Sequence, residues 1–154
     1  MEISKRSLII FCLGWVTFLV LTSYVAGYYY MEFQNLTKLL EKYRSCVMHV
    51  NICIDYKEWN ETVVWYNDTI VPLGCDLLQV TEMIAVVNYT YWPAYQASFV
   101  NAINSVWNSG AHFWMWHRWN AEKEIWEYGN VGADRYKLTN GEIVMWRYEI
   151  PSYS

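Results

Sequence analysis

"AHFWMWHRWN", residues 111–120, packs three tryptophans, a phenylalanine and a methionine into the seven positions from Phe113 to Trp119. Taken as a strand, it alternates between two faces. Trp114, Trp116 and Arg118 share one, while Phe113, Met115, His117 and Trp119 share the other. The closing stretch "KLTNGEIVMWRYEI" (137–150) divides in the same way, with Val144, Trp146 and Tyr148 opposed to Ile143, Met145 and Arg147. Asn140-Gly141 supplies turn chemistry ahead of it.

Upstream, "VMHVNICIDY" (47–56) also alternates, placing Val50, Ile52 and Ile54 opposite Asn51, Cys53 and Asp55. "KEWNE" breaks the pattern and "TVVWYNDTIV" (62–71) resumes it, which predicts a hairpin. A turn centred on Trp59 sets Cys53 across from Trp65 and brings Cys46 level with Pro72, with Cys75 just beyond. Cys46–Cys75 is therefore the expected disulfide and Cys53 the odd thiol; a Cys46–Cys53 bridge would require the strand between them to fold back. Pro72 and Gly74 end the strand, and Asp76 is placed to N-cap a short helix, "LLQVTEMIA" (77–85). "VVNYTYW" and "ASFVNAI" are further strands around a "PAYQ" turn, and the polar "NSVWNSG" leads to the aromatic strand. "AEKEIWEYGNVGADRY" (121–136) is a loop-rich connection. The class expected is α+β, a mainly antiparallel sheet with one crossing helix.

The N-terminus differs in kind. From Ser7 to Met31 there is no charged residue, and Lys5 and Arg6 precede the run. About 20 apolar residues suffice to cross the hydrocarbon layer as a helix. The basic flank keeps the N-terminus cytoplasmic, so the remainder is expected outside. Residues 1–30 are thus a signal anchor or, alternatively, a signal peptide cleaved near Val25-Ala26-Gly27; export follows from either. Residues 31–46, with Phe33, Leu36, Leu40 and Tyr43 at helical spacing, form an amphipathic stalk or linker helix. Residues 47–154 are the β domain. Four Asn-x-Thr sequons, at Asn35, Asn60, Asn67 and Asn88, follow the apolar segment, whereas chance placement would give roughly one. An exported glycoprotein is expected, with Asn60 at the hairpin tip most accessible.

The last third, "INSVWNSGAHFWMW…VGADRYKLTNGEIVMWRY", resembles the transcobalamin C-terminal-like domain family, exported microbial modules of largely unknown function. The shared pattern runs over about Val47–Glu149 and includes Gly132-Ala133-Asp134, Asn140-Gly141-Glu142, Trp146 and Tyr148. Ser105 stands where that family often carries glycine, and Asn120-Ala121 replaces Asn-Gly. The resemblance implies a small β-grasp-like domain with the Trp114 set in the core beneath its helix. Phe113, Met115, His117, Trp119, Ile143, Met145 and Arg147 are then on the reverse of the sheet. A single-helix grasp leaves that face open, and an open apolar face marks a partner or ligand site. The alternative is a second core, covered by the 31–46 helix or a long loop.

A net charge of −4 without a basic cluster offers nothing to a nucleic-acid backbone. His112 and His117 point to opposite faces and do not share a metal. No nucleophile elbow, phosphate loop or dinucleotide fingerprint occurs, so neither enzymatic activity nor a cofactor is expected. The expected function is a non-catalytic, membrane-tethered or secreted cell-surface binding module, engaging a protein partner, itself, or a small apolar ligand. Two alternatives are a pilin-like filament subunit, since an N-terminal apolar helix leading into a β domain resembles archaeal pilin-like proteins, and a corrinoid-like small-molecule binder.

Overall fold

The computed structural model describes residues 5–151, so the outermost ends of the expected segments, 1–4 and 152–154, lie outside the described residues. Two compact units are present, divided after Arg44.

The first unit is one uninterrupted helix, α1 (Lys5–Arg44), of 40 residues with no buried side chain. It is long and apolar enough to cross a membrane. The apolar run and the amphipathic stalk are thus parts of one continuous helix. At 1.5 Å per residue it extends about 60 Å, twice the hydrocarbon thickness. Asn35 lies exposed on its second half.

The second unit is α+β and contains two sheets rather than one. Strands β1 (Val47–Asp55) and β2 (Val63–Pro72) form the expected hairpin, joined through a single helical turn, α2 (Lys57–Asn60). Cys53 does lie opposite Trp65, but the partner of Pro72 is Val47, because a bulge intervenes between Val50 and Ile52. There Asn51 Oδ1 accepts the Asp68 amide at 2.9 Å, and Asp68 adopts φ 52°. The extra residue shifts the outer half of the ladder by one position.

Helix α3 (Leu77–Ile84) begins where Asp76 predicts. Asp76 Oδ1 accepts the Gln79 amide at 2.9 Å, and Gln79 Oε1 accepts the Asp76 amide at 3.1 Å, a complete capping box. Strands β3 (Val87–Trp92), β4 (Ala97–Ile103) and β5 (Val106–Trp107) make the smaller antiparallel sheet. Strands β6 (Phe113–Asn120), β7 (Ile125–Tyr128) and β8 (Ile143–Glu149) complete the larger one, in the order β2-β1-β8-β6-β7. One connection departs from expectation. The 121–136 connection contains a strand, β7, paired with β6 from His117 to Asn120. The large sheet is also mixed, because β8 enters between β6 and β1 and runs parallel to β1.

Asn140-Gly141 directs that insertion. Asn140 Oδ1 accepts the His49 amide at 2.8 Å, and the Gly141 amide donates to the His49 carbonyl at 2.7 Å. The turn docks on β1 instead of closing a hairpin, and fixes the register of β8.

The core fills the space between the large sheet, α3 and the small sheet. It includes Ile52, Ile54, Leu77, Val80, Ile103, Trp114, Trp116, Val144, Trp146 and Tyr148. Each large aromatic finds a hydrogen-bond partner, as burial demands. Trp114 Nε1 donates to the Val106 carbonyl at 2.8 Å, Trp116 Nε1 to that of Val131 at 2.9 Å, and Tyr148 Oη to that of Trp107 at 3.0 Å.

Candidate functional site

The expected binding residues lie on the reverse of the large sheet, but that face is not an open apolar surface. His117 and Met145 are buried; Phe113, Met115, Trp119, Ile143 and Arg147 are half-buried. A polar chain crosses it. Asp55 on β1 accepts from Arg147 Nε at 2.9 Å, and Arg147 approaches Glu149 at 4.0 Å. Glu149 Oε1 pairs with His117 Nε2 at 2.9 Å, and the His117 ring lies 4.3 Å from that of Tyr128. Burial pushes the Glu149 carboxyl up, but hydrogen bonds from His117 and Tyr128 and the charges of His117 and Arg147 outweigh it, leaving a net lowering. Arg147 and His117 are therefore committed to carboxylates within the sheet. Trp119 packs on Trp126 of β7 at 5.3 Å.

Two of the seven lead elsewhere. Phe113 meets Phe99 of β4 edge to face at 6.1 Å. Met115 lines a narrow cavity of 120 Å³ together with Phe99, Trp114, Trp116 and Gly129. Phe99 is shared with a larger cleft of 410 Å³, whose other walls are Trp92, Tyr95, Ala97, Ser98 and Gly132. A third compartment, of 400 Å³, continues from Tyr95, Ala97 and Gly132 past Gly129, Asn130 and Val131 to Arg135.

This cleft exists because β4 and β6 are neighbours that do not pair along their length. Asn108 pins them at one end: its Nδ2 donates to the Val100 carbonyl at 2.8 Å, and its Oδ1 accepts the Trp114 amide at 3.0 Å. Beyond that pin, the 129–136 segment fills the gap. Gly129 donates its amide to the Trp116 carbonyl at 2.8 Å, and a Cβ there would overlap the Trp116 ring. A Cβ on Gly132 would stand 2.7 Å from both Ala97 Cβ and Asp134 Oδ1. Only glycine lets this wall lie so close. Asp134 Oδ2 accepts the Ser98 amide at 2.7 Å, while its buried Oδ1 has no partner. The Ala133 and Tyr136 carbonyls accept from the Leu78 and Leu77 amides at the start of α3, at 3.2 and 2.9 Å. The wall is therefore held from three sides.

Trp92, Tyr95 and Phe99 do not stand out as a group in the strand periodicity. The available signal was the aromatic content of "YWPAYQASF", which straddles a turn and so presents its rings at one end of a hairpin.

All four cysteines are thiols. The expected Cys46–Cys75 bridge is not formed: Cys75 packs against the core, whereas Cys46 is exposed. Asn35, Asn60, Asn67 and Asn88 are all exposed. Among the described residues, no three of His, Cys, Asp and Glu converge as metal ligands.

No family profile matches the chain, and no curated protein matches it. Solved structures do. A candidate metal-binding protein from Ruminococcus gnavus ATCC 29149 aligns at TM-score 0.51 and 14% identity, over 68% of this chain and 99% of that one. Haptocorrin in complex with Cbi aligns at TM-score 0.52 and 17% identity, over 68% of this chain and 25% of that one. This chain thus spans about a quarter of haptocorrin's length. At such identities the likeness is one of fold.

Proposed function

We propose that this protein is a non-catalytic, membrane-tethered binding module, held by α1 with its N-terminus inside the cell and displaying residues 45–154 outside. The carrying observation is the aromatic cleft of Trp92, Tyr95 and Phe99, a concave apolar site with a fixed rear wall and few polar groups. The fold shared with haptocorrin and with a candidate metal-binding protein supports a binding role and agrees with the transcobalamin-like resemblance. A small ligand, corrinoid-like or otherwise apolar, is the natural occupant.

The test uses full-length protein in lipid nanodiscs and the neutral aromatic probe naphthylacetamide, followed by calorimetry against empty nanodiscs. Binding should weaken about tenfold or more in Phe99→Ala and Trp92→Ala, while Trp59→Ala, an exposed aromatic outside the cleft, leaves it unchanged. Equal behaviour of all three variants sinks the assignment. Exterior display predicts glycans on the exposed sequons when the chain passes through a eukaryotic secretory pathway; an unchanged mass after deglycosylation counts against it.

The unbroken exposed helix of 40 residues favours a second reading, a filament subunit. N-terminal sequencing separates them. A mature start at Ser7 or Leu8 indicates filament assembly, one near Tyr28 a secreted module, and an intact N-terminus the anchor.

A further inference from the structure

We infer that the cleft selects an amphipathic anion, an apolar or aromatic body ending in a carboxylate, with the carboxylate on Arg135. The inference rests on the cleft being a binding site. Its basis is the contrast between two adjoining compartments. The one bounded by Trp92 and Phe99 contains no charged side chain among its walls. Its neighbour shares Tyr95, Ala97 and Gly132 with it and ends at Asn130 and Arg135. A ligand lying along the shared wall has its apolar part in the first and its terminus in the second.

Arg135 supplies the charge in the walls of that second compartment. From Ser45 onward the chain has twelve Asp or Glu and only six Lys or Arg, so cations are readily paired. Arg118, Lys123, Lys137 and Arg147 are, whereas among the described residues Lys57 and Arg135 form no ion pair. Among the described residues, no carboxylate stands within ion-pairing distance of Arg135, although Asp134 is its neighbour in sequence. The Asp134 carboxylate turns instead to the Ser98 amide. The Arg135 amide donates to the Gly132 carbonyl at 2.9 Å, which ties its backbone to the cleft wall. A guanidinium offers a planar pair of donors matched to a carboxylate. The acidic remainder of the domain disfavours small free anions, so the apolar body must contribute to affinity.

The experiment compares naphthylacetate with its neutral amide, again on the full chain in nanodiscs. Wild type should bind the acetate roughly five- to tenfold more tightly than the amide, a margin that shrinks with added salt. Arg135→Gln should remove the margin while leaving amide binding intact. Equal affinities in wild type, or a margin that survives Arg135→Gln, overturn the anion inference and leave the cleft standing if Phe99→Ala still weakens both probes. If Phe99→Ala weakens neither, the cleft reading falls and this inference with it.

Discussion

Trp146 and Thr81 meet at the centre of the core. The indole Nε1 donates to Thr81 Oγ1 at 2.8 Å, and the hydroxyl donates onward to the Leu77 carbonyl at 2.6 Å. Thr81 is fully buried, so its oxygen has no access to water. The bond joins β8, the central strand of the large sheet, to helix α3.

Removing that link should be costly. Trp146→Ala and Trp114→Ala are each expected to lose about 3–5 kcal/mol, as for other buried large aromatics. Trp146→Phe should lose about 1–3 kcal/mol, since it strands the Thr81 acceptor. Met115→Ala and Trp119→Ala, on the half-buried face, should cost well under half of the alanine value because less area leaves water. Urea unfolding of the full chain in detergent measures all five. Equal losses on both faces would mean that the sheet is as deeply buried behind as in front.

Ser105 occupies a left-handed backbone position, φ 66°, after Asn104 at 48°. The two residues make the tight turn between Ile103 and Val106, where glycine is favoured. Ser105→Gly should therefore stabilise the domain, by up to about 1 kcal/mol, with the relief of strain partly offset by a freer unfolded chain. A lower melting temperature in the variant contradicts the turn geometry.

Glu149 binds its proton less readily when folded than when unfolded, since the folded site holds it below the usual carboxylate range. Its contribution is then complete above the unfolded value of about 4.3 and is lost as pH falls through the lower folded value. Glu127 behaves in the same sense: hydrogen bonds from Arg118, Lys123 and Asn120 bring it down to about 2. Acid unfolding below the usual carboxylate range should be measurably shallower in Glu149→Gln than in wild type. Superimposable profiles would remove the carboxylate from the account.

Cys53 and Cys46 should differ in reactivity. Burial and the nearby Asp55 charge, opposed by Arg147, push the Cys53 thiol up to about 11, so thiolate is scarce at neutral pH. Cys46 is exposed. Maleimide treatment of native protein followed by peptide mapping should mark Cys46 and spare Cys53 until urea is added. Comparable labelling of the two refutes the burial assignment.

Much of this architecture was legible residue by residue. The two faces of "FWMWHRW" follow from strand periodicity, and Trp114 and Trp116 are buried as that pattern and the family resemblance imply. The Asp76 cap needs only a carboxylate three residues before Gln79. The β1–β2 hairpin is correct at its inner end because a short turn leaves little choice of partner. Each of these depends on residues close together in the chain.

What the sequence alone could not determine are the features made by distant segments. The bulge at Asn51 and Asp68 shifts the outer ladder without leaving a mark in the hydrophobic alternation. The Asn140-Gly141 turn is evident, but its docking on His49, which carries β8 between β1 and β6, depends on a partner 91 positions away. The reverse face closes over a network drawn from β1, β6, β7 and β8, so His117 and Arg147 are engaged rather than free. The cleft arises where β4 and β6 approach without pairing and the 129–136 segment is clamped between them. Local pattern determines which way a side chain points; only tertiary packing decides what meets it there.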